Sequence, residues 1–299
     1  MEIAQSMPGA TITFPMLGDG FAIGPSNTYS LWGLELHWYG AIIALGFLLA
    51  YLYVNRRSKA FGLTQDNIID MLLCAVPAAV VGSRLYYVVF NYALFRGDFW
   101  SIFKIWEGGL AIYGVVIGAV LAVWIYCRVK KLPIGPFLDI GGLGLLIGQT
   151  IGRWANFINR EAFGGETDIF CRMGLTDASG NTVYVHPTFL YESVWNLLGL
   201  LLLHLFSKSG KRRYDGQLFV MYLAWYGFGR IFIEGLRTDS LYLFGTGLRV
   251  SQLLAGISCF AALVFLAING SIPHDPDKLL MNTAAAEGME AAAPEEEKD

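Results

Sequence analysis

Residues 148–165 read GQTIGRWANFINREAFGG. The stretch closes an apolar run that begins near Ile134, takes on one arginine, Arg153, and then breaks into Asn156, Asn159, Arg160, Glu161 and the paired Gly164 and Gly165. A run of that length can cross a bilayer as a helix, which needs about 20 mostly apolar residues. An arginine inside it is costly unless it has a partner, so Arg153 is read as a functional residue of a membrane protein.

Composition extends that reading to the whole chain. Of 299 residues, 55% are hydrophobic and only 15% charged, too apolar for an ordinary soluble domain. Seven segments have crossing length: 36–54, 68–90, 109–127, 134–155, 188–206, 216–235 and 250–268. The expected fold class is an all-α integral membrane protein, a seven-transmembrane-helix bundle with small external loops or a small head.

Orientation follows from the basic residues. One set of connections carries Arg56, Arg57, Lys59, Arg128, Lys130, Lys131, Lys208, Lys211, Arg212 and Arg213, against six in the opposite set. The richer side is cytoplasmic by the positive-inside bias, which puts the N-terminus outside and the C-terminus inside. The domain plan is then an external N-terminal arm (1–35), a seven-span domain (36–270) with an external loop at about 156–187, and a disordered acidic cytoplasmic tail (271–299) ending in PEEEKD. No cleavable signal peptide is expected, because the N-terminus lacks a basic region before an apolar core. The four cysteines form no disulfide framework and no CxxC or His-rich pattern, so neither structural disulfides nor a metal is expected. Nothing points to a nucleic-acid partner.

Three basic residues fall inside predicted spans: Arg84, Arg153 and Arg230. Counted from the inner ends of their spans at about 1.5 Å per residue, they lie roughly 24, 28 and 21 Å up a core about 30 Å thick. Tyr39, Tyr113, Tyr191 and Glu192 enter the same outer layer from descending spans, with His186 at its mouth just before Pro187. One arginine near a helix end can simply snorkel to the headgroups, and tyrosines at this level can simply form the interfacial belt. Three arginines at one depth beside loops rich in Gly and Asn argue instead for a shared site. In GRIFIEGLRTD, Arg230, Glu234 and Arg237 share one helix face, so Glu234 can pair with either arginine. The alternative for that triplet is a structural salt bridge tying helix ends. Asp70, Asp139 and His204 fall on the inner halves of their spans and read as structural, and Pro77 reads as a helix kink.

Clustered guanidiniums beneath the outer headgroups suit a lipid phosphate, which they can bind bidentately. No GxSxG, HExxH or Walker loop competes, so the power of any enzyme here would lie in electrostatic stabilisation.

IGRWANFINREAFGG, together with HPTFLYES, GRIFIEGLRTD, GSRLYYVVF and WEGGLAIYG, resembles the bacterial prolipoprotein diacylglyceryl transferase family over about 37–268. The resemblance implies transfer of the diacylglyceryl group of phosphatidylglycerol to the lipobox cysteine thiol of a prolipoprotein signal peptide. A thioether forms and glycerol phosphate leaves, in the first step of lipoprotein maturation. It implies residence in the bacterial cytoplasmic (inner) membrane with the site toward the outer leaflet, and no cofactor. By motif, Arg153, Asn156 and Gly164 correspond to the family signature, and Arg230, Glu234 and Arg237 to a second arginine cluster. Tyr39, Arg84, His186, Tyr191 and Glu192 match further polar positions. The implied catalytic set is Arg153, Arg230, Glu234, His186 and Tyr113. Arg153, Asn156, Arg84, Tyr39, Arg237, Glu192 and Gly164 form the lipid-binding set. His186, Tyr113 and Tyr39 are all candidates for proton handling.

Three positions depart from the family pattern: Ala155 stands where glycine is usual, Phe189 where glutamine is frequent, and Tyr113 where many members carry histidine. Two rival readings stay open: a non-catalytic phospholipid or anion transporter or scramblase using the same arginines, and a phospholipase or acyltransferase attacking the acyl carbonyl or the phosphorus.

Overall fold

The computed structural model describes residues 6–18, 20–243 and 247–284. It is mostly helical. Each predicted span is an α-helix: α1 Trp38–Arg57, α2 Gln65–Phe90, α3 Ile112–Lys130, α4 Ile134–Asn159, α5 Thr188–Lys208, α6 Gln217–Leu236 and α7 Val250–Ser271. Six of these, all but α6, are long and apolar enough to cross a membrane. α6 falls short because its 20 residues include Tyr222, Trp225, Tyr226, Arg230 and Glu234.

The chain divides into two compact units. The second comprises Asn55–Ile140, Tyr214–Gly216 and Asp275–Asp299. Its α2 starts at a capping box, in which Asn67 N–H donates to Thr64 Oγ1 and Thr64 N–H to Asn67 Oδ1. Gly82, Gly114 and Gly118 let α2 and α3 meet backbone to backbone: a Cβ on Gly114 would lie 2.3 Å from the Gly82 carbonyl oxygen. Pro77 lies inside α2. Asp70 pairs with Lys130 at 3.1 Å, and the fully buried Asp139 accepts from the Gly216 N–H just before α6.

The tail departs from the expected disorder where it is described. Leu279 is buried, Leu280 N–H donates to Asp215 Oδ2, and the Leu280 backbone lies against Gly62. Residues 285–299, with the acidic PEEEKD end, lie outside the described residues.

The first unit comprises Met1–Val54, Gly141–Arg213 and Gln217–His274. Its α5 and α6 are registered by Trp195 and Trp225, whose rings stack at 4.2 Å. Each indole N–H donates to the other residue's carbonyl, and Gly199 and Gly229 leave room for the rings. A Cβ on Gly227 would meet the Ala255 carbonyl oxygen at 2.8 Å, so α6 also lies close against α7. His204 on α5 meets Tyr53 on α1 at 2.6 Å.

Two small sheets accompany the helices among the described residues. β1 (Thr11–Thr13), β2 (Ala22–Ile23), β5 (Met173–Thr176) and β6 (Thr182–Val185) form an antiparallel sheet in the order β2-β1-β5-β6. β3 (Thr28–Leu31) and β4 (Leu34–His37) form a hairpin leading into α1. The N-terminal arm is thus woven into the 156–187 loop. Ile12, Phe14, Phe157, Phe163, Met173, Leu175, Val185 and Phe189 bury a common apolar core beneath the sheet.

Candidate active site

The site grows from the register of α4 against α5. Trp154 Nε1–H donates to Ser193 Oγ, and Ser193 Oγ–H donates to the Thr150 carbonyl, fixing one helix on the other. Arg153, beside Trp154, therefore meets Glu192, beside Ser193: Arg153 Nη2–H donates to Glu192 Oε1 at 2.7 Å. The stacked tryptophans set α6 on α5 so that Arg230 Nη1–H reaches the other oxygen, Glu192 Oε2, at 2.9 Å. One helical turn on, Glu234 pairs with Arg230 Nη2 at 2.6 Å.

The result is an alternating chain, Arg153–Glu192–Arg230–Glu234, drawn from three helices. Both carboxylate side chains are 3% exposed, whereas the Arg153 and Arg230 side chains retain 20% and 13%. Charges this deep are tolerable only when paired: both Glu192 oxygens accept from arginines, Glu234 Oε2 is ion-paired with Arg230, and Ser240 Oγ–H donates to Glu234 Oε1 at 2.8 Å. Arg249 Nη1–H donates to the Glu234 carbonyl.

Around Arg153 the signature loop adds amides. Asn156 Oδ1 accepts from Arg153 Nη1 at 3.3 Å, and its Nδ2–H donates to Glu161 Oε1 at 2.9 Å. Asn159 donates to the same Glu161 oxygen. Gly164 ties three segments: its N–H donates to the His186 carbonyl, it bridges to Arg237, and the Gly165 N–H donates to the Leu236 carbonyl. A Cβ on Gly164 would come within 2.6 Å of His186 Cβ, so this crossing requires glycine. His186 Nδ1 lies 3.3 Å from Tyr191 Oη, which lies 3.7 Å from Cys171 Sγ. Burial pushes the His186 pKa below its ordinary value.

Of the two arginines the sequence offers to Glu234, Arg230 takes it, and Arg237 is held by Asp239 through Nε to Oδ1 (2.9 Å) and Nη2 to Oδ2 (2.7 Å). For Arg237, burial alone would lower the pKa, but the Asp239 carboxylate outweighs it and the net displacement is upward. Burial opposes the Asp239 charge as well, and the Arg237 hydrogen bond still draws its pKa down.

Arg84, grouped by depth with the other arginines, has a different occupation. It belongs to the second unit and is buried, donating to the carbonyls of Ser101, Ile102, Gly108 and Gly109 at 2.5–3.0 Å. Four of its five N–H donors are spent pinning the α2–α3 connection. Tyr113, at the start of α3 in the same unit, has its ring 6.0 Å from that of Tyr86. Tyr39, in the first turn of α1, is 42% exposed.

Residues 27–268 match the family described as prolipoprotein diacylglyceryl transferase. The chain belongs to that family. It is 43% identical to the phosphatidylglycerol–prolipoprotein diacylglyceryl transferase of Lactiplantibacillus plantarum over 77% of this chain and 84% of that protein. It is 41% identical to the Enterococcus faecalis protein of the same name, over 83% and 92%. It is 39% identical to the one from Halalkalibacterium halodurans, over 77% and 81%.

Membership makes the departures informative. Phe189, in place of the frequent glutamine, is buried with its ring 4.6 Å from Phe157 and 5.3 Å from Trp154, so it serves the core under the sheet. Ala155 is fully buried. Asp239 and Arg160 were not singled out from sequence. Asp239 stood in view two residues past Arg237, whereas Arg160 read only as one more external-loop cation.

Proposed function

We propose that this chain is a membrane transferase that moves the diacylglyceryl group of phosphatidylglycerol onto the lipobox cysteine thiol of a prolipoprotein signal peptide. The observation that carries the reading is the single buried carboxylate of Glu192 holding Arg153 and Arg230 at 2.7 and 2.9 Å. This tether fixes two guanidiniums while leaving other N–H groups for an incoming phosphate. Arg153 gives one donor to Glu192 and one to Asn156 out of five.

The chemistry follows from charge. The thiolate sulfur attacks the glycerol carbon that carries the phosphate ester. The S–C bond forms as the C–O bond breaks, and its electron pair leaves on the phosphate. A phosphodiester monoanion becomes a glycerol phosphate monoester heading for two negative charges. Arginines on its oxygens therefore stabilise the departing group more than the substrate, which is the differential binding catalysis requires. The thiol, with an ordinary pKa near 8.5, gives its proton to a base. His186, Tyr113 and Tyr39 are the candidates. Glu234 orients Arg230, while Asn156 and Arg237 support the pocket.

In this reading α6 is the seventh span, with the N-terminus and the site facing the outer leaflet of the bacterial cytoplasmic membrane. Its lower hydropathy fits a span faced by protein: Tyr222, Gly227, Gly229, Ile233 and Glu234 are all buried. The test is to incubate purified protein with phosphatidylglycerol and a lipobox peptide and to analyse the products by mass spectrometry. Diacylglyceryl thioether with glycerol phosphate is expected. Free fatty acid alone would mark a phospholipase, and lipid movement without product would mark a transporter or scramblase.

A further inference from the structure

Arg160 is the largest fully buried side chain among the described residues, at 1% exposure. Its four hydrogen bonds run to neutral acceptors: Nε–H to the Ala10 carbonyl (3.0 Å), Nη1–H to Asn27 Oδ1 (2.5 Å) and to the Ile158 carbonyl (2.6 Å), and Nη2–H to the Pro25 carbonyl (2.6 Å). Three of these acceptors belong to the N-terminal arm. A buried guanidinium is a poor way to gain stability, since its desolvation offsets much of what its bonds return. It is an effective way to fix geometry, because a planar fork with five donors can define several acceptors at once.

The backbone carries the same signature. Arg160 and Ala162 both sit at positive φ, 50° and 57°, a conformation that costs a non-glycine residue energy and persists only where surroundings impose it. The arm supplies part of that imposition: Met7 N–H donates to the Arg160 carbonyl, and Ser6 bridges to Glu161. Glu161, pinned between them, accepts from Asn156, and Asn156 accepts from Arg153.

We infer that Arg160 is a positioning residue for diacylglyceryl transfer, through which the N-terminal arm sets the Arg153 guanidinium by way of Glu161 and Asn156. The arm is then a working part of the transfer site and not a cover over it. The inference rests on the function proposed above.

The test compares Arg160→Gly and Arg160→Lys in the full-length chain, each alone and with Arg153→Lys, in phosphatidylglycerol-containing micelles. Gly suits the positive φ, so Arg160→Gly removes the guanidinium while easing the backbone. Turnover should fall on the order of 100-fold in Arg160→Gly, as expected when a reacting group is displaced by about an ångström. Arg160→Lys, which keeps the charge but not the fork, should restore only part of it. In the Arg153→Lys background, Arg160→Gly should cost little more, because its target is already compromised. Phosphatidylglycerol affinity, measured by titrating the lipid, should weaken in the single variants in the same order.

Wild-type turnover in Arg160→Gly, or losses that multiply fully with Arg153→Lys, would overturn the relay and leave Arg160 as a structural clamp. A wild-type chain that binds phosphatidylglycerol without forming thioether would instead refute the proposed function. The affinity series would still decide the relay.

Discussion

The carboxylate of Glu192 on α5 joins Arg153 on α4 to Arg230 on α6, one oxygen to each, at 2.7 and 2.9 Å. Two cations brought from segments nearly 80 residues apart would repel each other and any shared site would open. A single anion between them removes the repulsion and fixes their spacing, so the pair is preorganised before lipid arrives.

Replacing that anion by its neutral isostere should be severe. Glu192→Gln leaves two part-buried guanidiniums facing an amide, and breaking one side of a buried pair typically costs about 3–5 kcal/mol, an upper bound for these partly exposed arginines. The expected outcome is a markedly lower thermal midpoint in detergent together with loss of transfer. An unchanged midpoint would show that the two arginines do not depend on Glu192.

The pair formed by Arg237 and Asp239 predicts a pH dependence. Arg237 holds the Asp239 pKa below the ordinary carboxylate value, so its contribution to stability is present above that ordinary value and is lost as pH falls through the lowered one. Thermal midpoints measured across the acid range should therefore decline below about pH 4. Asp239→Asn should flatten that decline and lower the midpoint at neutral pH. An identical acid limb in the variant would contradict the assignment.

The β3–β4 hairpin predicts a stabilising change. Its two-residue turn is Trp32 and Gly33, with φ of 50° and 82°, a type I′ geometry that favours Asn at the first position. Trp32 is 94% exposed and gains nothing from burial within the chain. Trp32→Asn should raise stability by about 0.5–1 kcal/mol, read as a higher thermal midpoint. A fall instead would mean that the indole stabilises the protein from outside, through the surrounding lipid or detergent.

The helices were legible because each is a long apolar run, and length and composition need no knowledge of neighbours. α6 was the harder case, since its polar residues face protein and dilute its hydropathy. The sheet was not legible. Its strands are two to four residues long, and β1 pairs with β5 across about 160 residues of sequence, so no local periodicity announces it. Depth along a helix groups Arg84 with the other arginines but supplies one coordinate of three. The carbonyls of 101–109 that claim its donors depend on a loop conformation the sequence does not encode simply. The double pairing of Glu192 likewise depends on helix register, set by Trp195, Trp225 and Ser193, which read as ordinary span residues. Arg160 was hidden for the same reason, because its partners lie about 130–150 positions upstream.

The most direct test of the central claim is the turnover of Arg153→Ala with phosphatidylglycerol and a lipobox peptide, measured beside its helical content and detergent elution profile. The account predicts a chain that inserts and folds but has lost on the order of 100- to 1,000-fold or more in transfer, the scale of removing one preorganised donor to a developing anion. Near-normal turnover in a folded Arg153→Ala variant would contradict it and reduce Arg153 to a structural partner of Glu192.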